Sequence, residues 1–152
     1  MRKIFIGADH NGFALKEKLK ARLAKKNVVV SDEGNTRLVK DDDYPDYALR
    51  VARNVSRGKG EGILICGSGH GMAIAANKLK GIRAAVVHSP DEAAKAREHD
   101  FINVLCLPSS ARKAEAIVDA WLSSSFSGEP KHTRRIEKIK RMEKPWSALF
   151  LR

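Results

Sequence analysis

A cysteine followed by a glycine-rich turn is the stretch of this chain best suited to chemistry. An apolar run at 63–65 leads into the segment Cys66-Gly-Ser-Gly-His-Gly-Met, and small residues at helical spacing follow. Successive glycines let a turn expose several backbone N–H groups, and a helix start adds partial positive charge. The pattern predicts an anion-binding nest with Cys66 at its rim as a nucleophile or base. The alternative is a structural turn beside a buried cysteine, since an unpaired cysteine often acts as a small core residue.

Three familiar phosphate-binding loops do not fit this turn. No Gly-Lys-Ser/Thr closes it, as a Walker loop requires. Met72 stands where a Cys-x5-Arg phosphatase would have its arginine. The turn also lacks the usual Gly-x-Gly-x-x-Gly fingerprint of dinucleotide-binding proteins, and it follows a middle strand rather than the first.

A second polar group follows the first predicted strand. The run 3–8 is rich in β-branched and aromatic residues, and Asp9 and His10 come directly after it. The carboxyl ends of parallel strands form the edge at which α/β sheets bind ligands. Asp9 and His10 are therefore predicted to face the same crevice as Cys66. The alternative for Asp9 is a helix N-cap.

Short strands alternate with helices along the whole chain. Strand patterns occupy 3–8, 28–30, 62–66, 82–87 and 103–107, and helical patterns follow from Phe13, near Pro45, from Met72, after Ser89, from Ala114 and over 131–143. Ser89-Pro90-Asp91-Glu92 has the form of a capping box. The alternation predicts an α/β fold, a Rossmann-like three-layer sandwich with a five-stranded parallel sheet and a C-terminal helix. We expect residues 1–130 to form the Rossmann-like part, and 131–152 to be a basic helix and tail of the same domain.

Length and composition suit a globular domain. The chain has 152 residues, of which 43% are hydrophobic and 31% are charged. It has two isolated cysteines, which do not read as a disulfide framework. The first residues lack the pattern of a signal peptide, and no apolar run reaches membrane-spanning length. These observations predict a cytoplasmic protein with reduced thiols that does not bind a membrane.

The positive charge is concentrated in the C-terminal segment. The formal net charge is +11, and residues 131–152 carry eight Lys/Arg against two Glu. Such a segment could bind nucleic acid, but it has few aromatic residues for base stacking. The alternatives are a solvated helix face or arginines that bind an anionic small ligand. We therefore expect no nucleic-acid partner.

Taken together, five motifs resemble those of the type B ribose-5-phosphate isomerases and the related galactose-6-phosphate isomerase subunits. The motifs span residues 3 to about 140, and the block after Cys66 is the most specific of them. They are Gly-Ala-Asp9-His10-x-Gly, Asp43-Tyr44-Pro45-Asp46-Tyr47-Ala, Cys66-Gly-Ser-Gly-His-Gly-Met-x-Ile-Ala-Ala-Asn77-Lys, Gly81-Ile82-Arg83-Ala, and His99 shortly before Asn103-Val-Leu.

The resemblance implies an aldose–ketose isomerase that uses no metal and no cofactor. Ribose 5-phosphate and ribulose 5-phosphate would exchange through an enediolate, with Cys66 as the base. Ser68 matches a hydroxyl residue that shuttles protons between the two sugar oxygens. His99 matches the histidine that opens the sugar ring, with Asp9 nearby. Some relatives carry a glutamate base at the position of Met72, so this chain resembles the cysteine group.

The resemblance also implies a set of substrate contacts and a homodimer, which could pair into a tetramer. The ring-opening histidine comes from the partner subunit in this family, so each active site would be shared. His10 and Arg135 match phosphate ligands, Tyr44 matches a substrate-contacting tyrosine, and the turn's N–H groups would stabilise the enediolate. The expected substrate-binding residues are His10, Tyr44, Gly67, Gly69, His70, Gly71, Asn77, Asp100, Arg112, Lys131 and Arg135.

Three positions depart from the family pattern. Asp100 replaces the asparagine that usually follows the ring-opening histidine, and an ionised carboxylate cannot donate a hydrogen bond. Lys131 replaces an arginine and lacks its bidentate fork. Arg112 follows a shortened loop and could replace another phosphate contact. Two alternatives therefore stay open: an isomerase of another sugar phosphate, such as allose or galactose 6-phosphate, and a binding module without catalysis.

Overall fold

The computed structural model describes residues 1–144, in which a parallel sheet of five strands is flanked by helices. The strands are β1 (Lys3–Ala8), β2 (Val29–Asp32), β3 (Glu61–Cys66), β4 (Ala84–Val86) and β5 (Val104–Pro108). The helices are α1 (Phe13–Ala24), α2 (Tyr44–Ser56), α3 (His70–Ala76), α4 (Pro90–Asp100), α5 (Ala114–Ser123) and α6 (Pro130–Met142). None of these helices is long and apolar enough to span a bilayer.

The strand order is β2-β1-β3-β5-β4, with every neighbouring pair parallel. The chain passes from β1 outward to β2 and then crosses back to β3 on the other side of β1. This reversal opens a crevice beyond the carboxyl ends of β1 and β3, which is where ligands bind in open α/β sheets. The predicted fold class is thus confirmed.

Two apolar layers cover the faces of the sheet. Helices α1, α4 and α5 contribute Leu19, Ala93 and Trp121 to one buried cluster. Helices α2 and α3 contribute Val51 and Met72 to the cluster on the opposite face. The inner strands β1, β3 and β5 are buried almost throughout, which explains their uninterrupted apolar runs.

Three elements differ in extent from the prediction. Strand β2 begins and ends later, and β4 is only three residues long instead of 82–87. Helix α3 begins at His70 and ends at Ala76, although helical residues were predicted at 72–78. The side chain of Asn77 explains the early end, because its amide bonds the backbone N–H and carbonyl of Ala84, both at 2.8 Å. The expectation that Trp146, Leu149, Phe150 and Leu151 pack on a subunit surface lies outside the described residues.

Helix α4 is capped as the sequence predicts. Ser89 is the N-cap, and its hydroxyl accepts a hydrogen bond from the Glu92 N–H at 3.2 Å. The helix begins near the carboxyl end of β4 and ends at Asp100, four residues before β5 begins at Val104. Its last turn therefore lies at the amino-terminal edge of the sheet, and helix α6 packs against it.

Candidate active site

Cys66 ends β3 inside the crevice and receives a backbone hydrogen bond on its sulfur. The thiol is 5% exposed, and the Gly69 N–H points at Sγ from 3.1 Å. Gly69 has φ +82°, and a Cβ added there would lie 3.1 Å from the carbonyl carbon of Leu107. A glycine is therefore required for the turn that directs this N–H at the sulfur. A donor in this position stabilises negative charge on sulfur.

The turn after Cys66 is open to solvent on its outer side. Gly67, Ser68 and His70 are exposed, and the Ser68 hydroxyl accepts a hydrogen bond from the His70 N–H at 3.3 Å. The hydroxyl lies within two residues of Cys66 and is free to reorient about its side-chain bond. The thiol and the hydroxyl thus each accept a backbone N–H of the same turn.

Asp9 is buried beside the end of β3. Its N–H donates to the Ile65 carbonyl at 3.3 Å, and its Oδ1 accepts the Gly12 N–H at 3.0 Å. A Cβ added at Gly12 would lie 2.6 Å from the Ile65 carbonyl oxygen, so the chain passes close to β3 here. Asp9 thus closes the turn between β1 and α1, but it is not the N-cap of α1, which is Gly12, so the helix-cap alternative is wrong.

His10 forms a pair with Asp42 from the loop before α2. Asp42 Oδ1 accepts the backbone N–H of His10 and lies 2.8 Å from its Nδ1. The hydrogen bond to Asp42 raises the pKa of His10, and the charges of Asp9 and Asp41 add to this, against an opposing effect of burial. An imidazole in this setting is suited to carry a positive charge toward an anion.

Asn11 and Tyr44 bring two further elements to the glycine turn. Asn11 Nδ2 lies 3.1 Å from His10 Nε2 and 3.7 Å from a Cβ added at Gly67. A Cβ added at Gly71 would lie 2.6 Å from the Tyr44 ring, so the phenol packs directly on α3. The start of α2 and the end of β1 therefore flank the turn that follows Cys66.

The sequence analysis missed the group that holds Asp42. Asp42 Oδ2 accepts the Tyr47 hydroxyl at 2.8 Å and the Asn35 amide at 3.3 Å, and the Asn35 amide also donates to the Tyr47 oxygen. Burial, followed by the hydrogen bond to Asp42, raises the pKa of Tyr47 to about 12. The sequence signal for this group is the acidic run 41–43 in a polar loop, which ends four residues ahead of Tyr47 on α2.

His99, Asp100, Lys131 and Arg135 do not reach Cys66 within one chain. His99 and Asp100 end α4 at the amino-terminal edge of the sheet. The His99 ring lies on the buried ring of His132, with centroids 4.5 Å apart, and Ser127 Oγ is 2.7 Å from His132 Nδ1. Lys131 and Arg135 are exposed on α6, and Lys131 pairs with Glu129 at 3.0 Å.

Two further predicted contacts have different outcomes. Arg112 is exposed at the carboxyl edge of β5, where it lines an open cavity of about 420 Å³ with His88 and Ser110. This edge adjoins Cys66, because the Ser109 N–H donates to the Cys66 carbonyl at 2.8 Å. Asn77 instead has both polar atoms of its amide bonded to Ala84, and a role for it in substrate binding stays a prediction.

The arrangement around Cys66 suits proton transfer next to a carbonyl group. A cysteine with an N–H donor on its sulfur can, as the thiolate, take a proton from carbon, and nearby backbone N–H groups can stabilise an oxyanion. The His10–Asp42 pair can hold an anionic group a short distance away. Among residues 1–144 no group of three or more His, Cys, Asp or Glu side chains is placed to hold a metal ion.

Comparisons with known proteins identify the family of the chain. The sequence model of the family described as Ribose/Galactose Isomerase matches residues 4–139. The ribose-5-phosphate isomerase B of Escherichia coli is 44% identical over 147 residues, which cover 94% of this chain and 97% of that protein. A probable ribose-5-phosphate isomerase B of Mycoplasma genitalium is 47% identical over 146 residues, which cover 93% of this chain and 95% of that protein.

Solved structures superpose on the same fold. The ribose-5-phosphate isomerase B of Mycoplasma genitalium with bound ribulose-5-phosphate matches with a TM-score of 0.89 at 46% identity, covering 93% of this chain and 95% of that chain. The type B ribose 5-phosphate isomerase of Trypanosoma brucei matches with a TM-score of 0.88 at 44% identity, covering 94% of this chain and 99% of that chain. The chain therefore belongs to the ribose/galactose isomerase family. Within that family it is an enzyme of the ribose-5-phosphate isomerase B type.

Proposed function

We propose that the chain interconverts ribose 5-phosphate and ribulose 5-phosphate, with Cys66 as the base. The observation that carries the proposal is the Cys66 sulfur in the crevice, with the Gly69 N–H aimed at it from 3.1 Å. The bound ribulose-5-phosphate of the similar Mycoplasma genitalium structure supports the choice of substrate.

In this mechanism Cys66 moves one proton between two carbons of the open-chain sugar. The thiolate takes the proton from C2 of the aldose. The electron pair of that C–H bond forms the C1–C2 double bond of an enediolate, while the π pair of the C1 carbonyl moves onto its oxygen. The thiol then returns the proton to C1, which gives the ketose. The Ser68 hydroxyl passes a proton between the oxygens on C1 and C2. Backbone N–H groups at Gly67 and Gly71 offset the charge that develops on oxygen, while the Gly69 N–H faces Cys66 Sγ and the His70 N–H faces Ser68 Oγ.

Ring opening would use His99 from a second copy of the chain. Within one chain α4 carries His99 to the amino-terminal edge of the sheet, whereas Cys66 lies at the carboxyl edge. A dimer that brings the end of α4 to the partner's crevice would place His99 near the sugar ring oxygen and near Asp9. A tetramer would be a pair of such dimers.

The phosphate would then be held from both subunits. His10 and Tyr44 would contact the substrate from the chain that supplies Cys66. Arg135, Lys131 and Asp100 would come with His99 from the partner, and Arg112 lies on the rim of the crevice. The positive charge of α6 would thus serve a small anion instead of nucleic acid. We also propose a cytoplasmic location, which the two unpaired cysteines support.

The decisive experiment is a direct assay of ribose 5-phosphate isomerisation with a chelator present. We expect turnover that the chelator does not reduce. Allose 6-phosphate and galactose 6-phosphate are assayed in parallel, because Asp100 and Lys131 depart from the pattern expected around the sugar. A higher kcat/KM on a six-carbon substrate would favour the alternative isomerase. Binding of every sugar phosphate without turnover would favour a binding module.

A further inference from the structure

Asp42 accepts four hydrogen bonds that together join three parts of the chain. Its Oδ1 accepts from the backbone N–H and lies against the Nδ1 of His10. Its Oδ2 accepts from Tyr47 on α2 and from Asn35 in the loop after β2. Asp42 itself lies in the polar loop that precedes α2. A carboxylate held from both sides in this way has little freedom to turn.

The Asn35 end of this group is anchored in the core. The Lys16 side chain is fully buried, and its ammonium donates to the Asn35 carbonyl at 2.9 Å and to Asp32 Oδ2. Asp32 Oδ1 also accepts the Gly34 N–H at 2.9 Å. The loop that presents Asn35 is therefore fixed to α1 and β2, so Asp42 rests on a rigid support.

We propose that Asp42 is a positioning residue that fixes the His10 ring toward the substrate phosphate, with Asn35 and Tyr47 holding Asp42 in place. The inference rests on the proposed function, because it deepens the role of His10 in that site. With Nδ1 bonded to Asp42, the remaining ring nitrogen Nε2 faces Asn11 and the glycine turn. An anion bound in the crevice would replace the exposed Asn11 amide as the hydrogen-bond partner of Nε2.

The charges around His10 all act in the same direction. Asp9 reaches it from the end of β1, and Asp41 and Asp42 reach it from the loop before α2. The Asp42 hydrogen bond, the largest influence, and the nearby carboxylates raise the pKa of His10, while burial opposes them. Burial would raise the pKa of Asp42, but the hydrogen bonds from His10 and Tyr47 outweigh this and lower it. The hydrogen bond between them thus favours the charged form of both groups.

The test measures the titration of His10 and the binding of inorganic phosphate in the full chain. Asp42→Asn keeps an oxygen for the ring Nδ1–H but removes the charge. We expect the pKa of His10 to fall, with an approximately tenfold loss of phosphate affinity above neutral pH for each unit of that fall. In turnover, KM for the sugar phosphate should rise by a similar factor with kcat changed by less than about threefold.

Asp41→Asn is the matched control. Asp41 is exposed, acts on His10 only through space, and has φ +57°, which asparagine tolerates. We expect a smaller fall in the pKa of His10 and little change in KM. Equal effects of the two variants would reduce Asp42 to one charge among several and would overturn its positioning role.

Tyr47→Phe covers the case in which Asp42→Asn does not fold. Removing the hydroxyl leaves the Asp42 charge but loosens its support, so KM should rise several-fold with kcat little changed. An unchanged KM in Tyr47→Phe, or an unchanged phosphate affinity in a folded Asp42→Asn, would overturn the proposal. The titration and phosphate measurements need no turnover. A wild-type chain without isomerase activity would therefore count against the proposed function and leave the test of Asp42 intact.

Discussion

Cys66 and His99 lie at opposite edges of the same sheet. Cys66 ends β3 opposite Pro108, the last residue of β5, whereas His99 stands five residues before β5 begins. The length of β5 alone separates the two edges by about 13 Å. A reaction that needs both side chains must therefore take one of them from another copy of the chain.

Mixed dimers test this arrangement directly. Cys66→Ala and His99→Ala are each expected to be inactive alone. After subunit exchange, half of the dimers would be mixed, and each of these would keep one intact site, so about a quarter of wild-type activity should return. The fraction of mixed dimers is measured by native mass spectrometry. Mixed dimers without activity would show that the two residues do not work across a subunit boundary.

Cys66 should differ from Cys106 both in reactivity and in its effect on turnover. Cys106 is fully buried in the core, and burial raises the pKa of its thiol. We expect iodoacetamide to modify Cys66 first and to stop turnover in proportion, and ribose 5-phosphate to slow the reaction. Cys66→Ala should abolish turnover yet still bind the sugar phosphate.

The control for that variant is Cys106→Ala. It should keep turnover and lower the free energy of unfolding by about 1 kcal/mol through the lost packing. Labelled peptides and denaturant unfolding give the two readouts. Near-normal turnover in Cys66→Ala would remove the thiolate mechanism.

Replacing each of two glycines of the turn by alanine should have different effects on stability and kinetics. At Gly71 the added Cβ meets only the half-exposed Tyr44 ring, which can move aside. We expect Gly71→Ala to raise KM with a loss of stability below about 1 kcal/mol. At Gly69 the φ is left-handed, and the added Cβ would meet the backbone of Leu107, which cannot move aside in the same way.

Gly69→Ala should therefore cost about 1–3 kcal/mol of stability and also lower kcat, because the N–H that faces Cys66 is displaced. Thermal unfolding and steady-state kinetics separate the two variants. The same loss in both would mean that the Tyr44 contact is as rigid as the backbone.

The buried Lys16 makes stability depend on Asp32 and on pH. Burial would raise the pKa of Asp32, but hydrogen bonds from Lys16, Lys20 and Gly34 outweigh it and leave that pKa lowered. The carboxylate therefore stabilises the fold fully above its unfolded pKa of 3.8, and this contribution is lost as pH falls through the lower folded value.

Asp32→Asn should accordingly lower the free energy of unfolding by about 3 kcal/mol at pH 7, since it leaves the Lys16 ammonium buried without its main counter-charge. The difference in the free energy of unfolding between this variant and wild type should become smaller toward pH 3. Asp91→Asn, which breaks an exposed pair with Lys95, is the control and should change stability little. If the difference in the free energy of unfolding between Asp32→Asn and wild type did not change with pH, the charge argument would be contradicted.

The inner strands and the capped helix were predictable because local pattern and burial agree there. Strands β1, β3 and β5 are apolar on both faces, and Ser89 caps α4 through the contact that its sequence motif implies. The positions of Asp9, His10 and Cys66 at predicted strand ends also led us to expect these residues to lie near one another. Strand β4 and helix α3 were misjudged because Asn77 bonds across to Ala84, a contact that no periodicity reveals.

The hydrogen-bonded group that holds His10 could not be predicted from the sequence for a related reason. Asn35, Asp42 and Tyr47 come from two loops and a helix, and only the folded chain brings their polar atoms together. The separation of His99 from Cys66 likewise follows from the direction of α4 relative to the strands.

The amide of Asn77 also bears on how copies of the protein can associate. Ala84 lies on the outer strand of the sheet, and its outward N–H and carbonyl are already taken by that amide. Strand β4 is three residues long, so little free backbone remains there for another strand to pair with. A second copy that approached this edge would contact it through side chains, because the Asn77 amide leaves Ala84 no free backbone group for strand pairing.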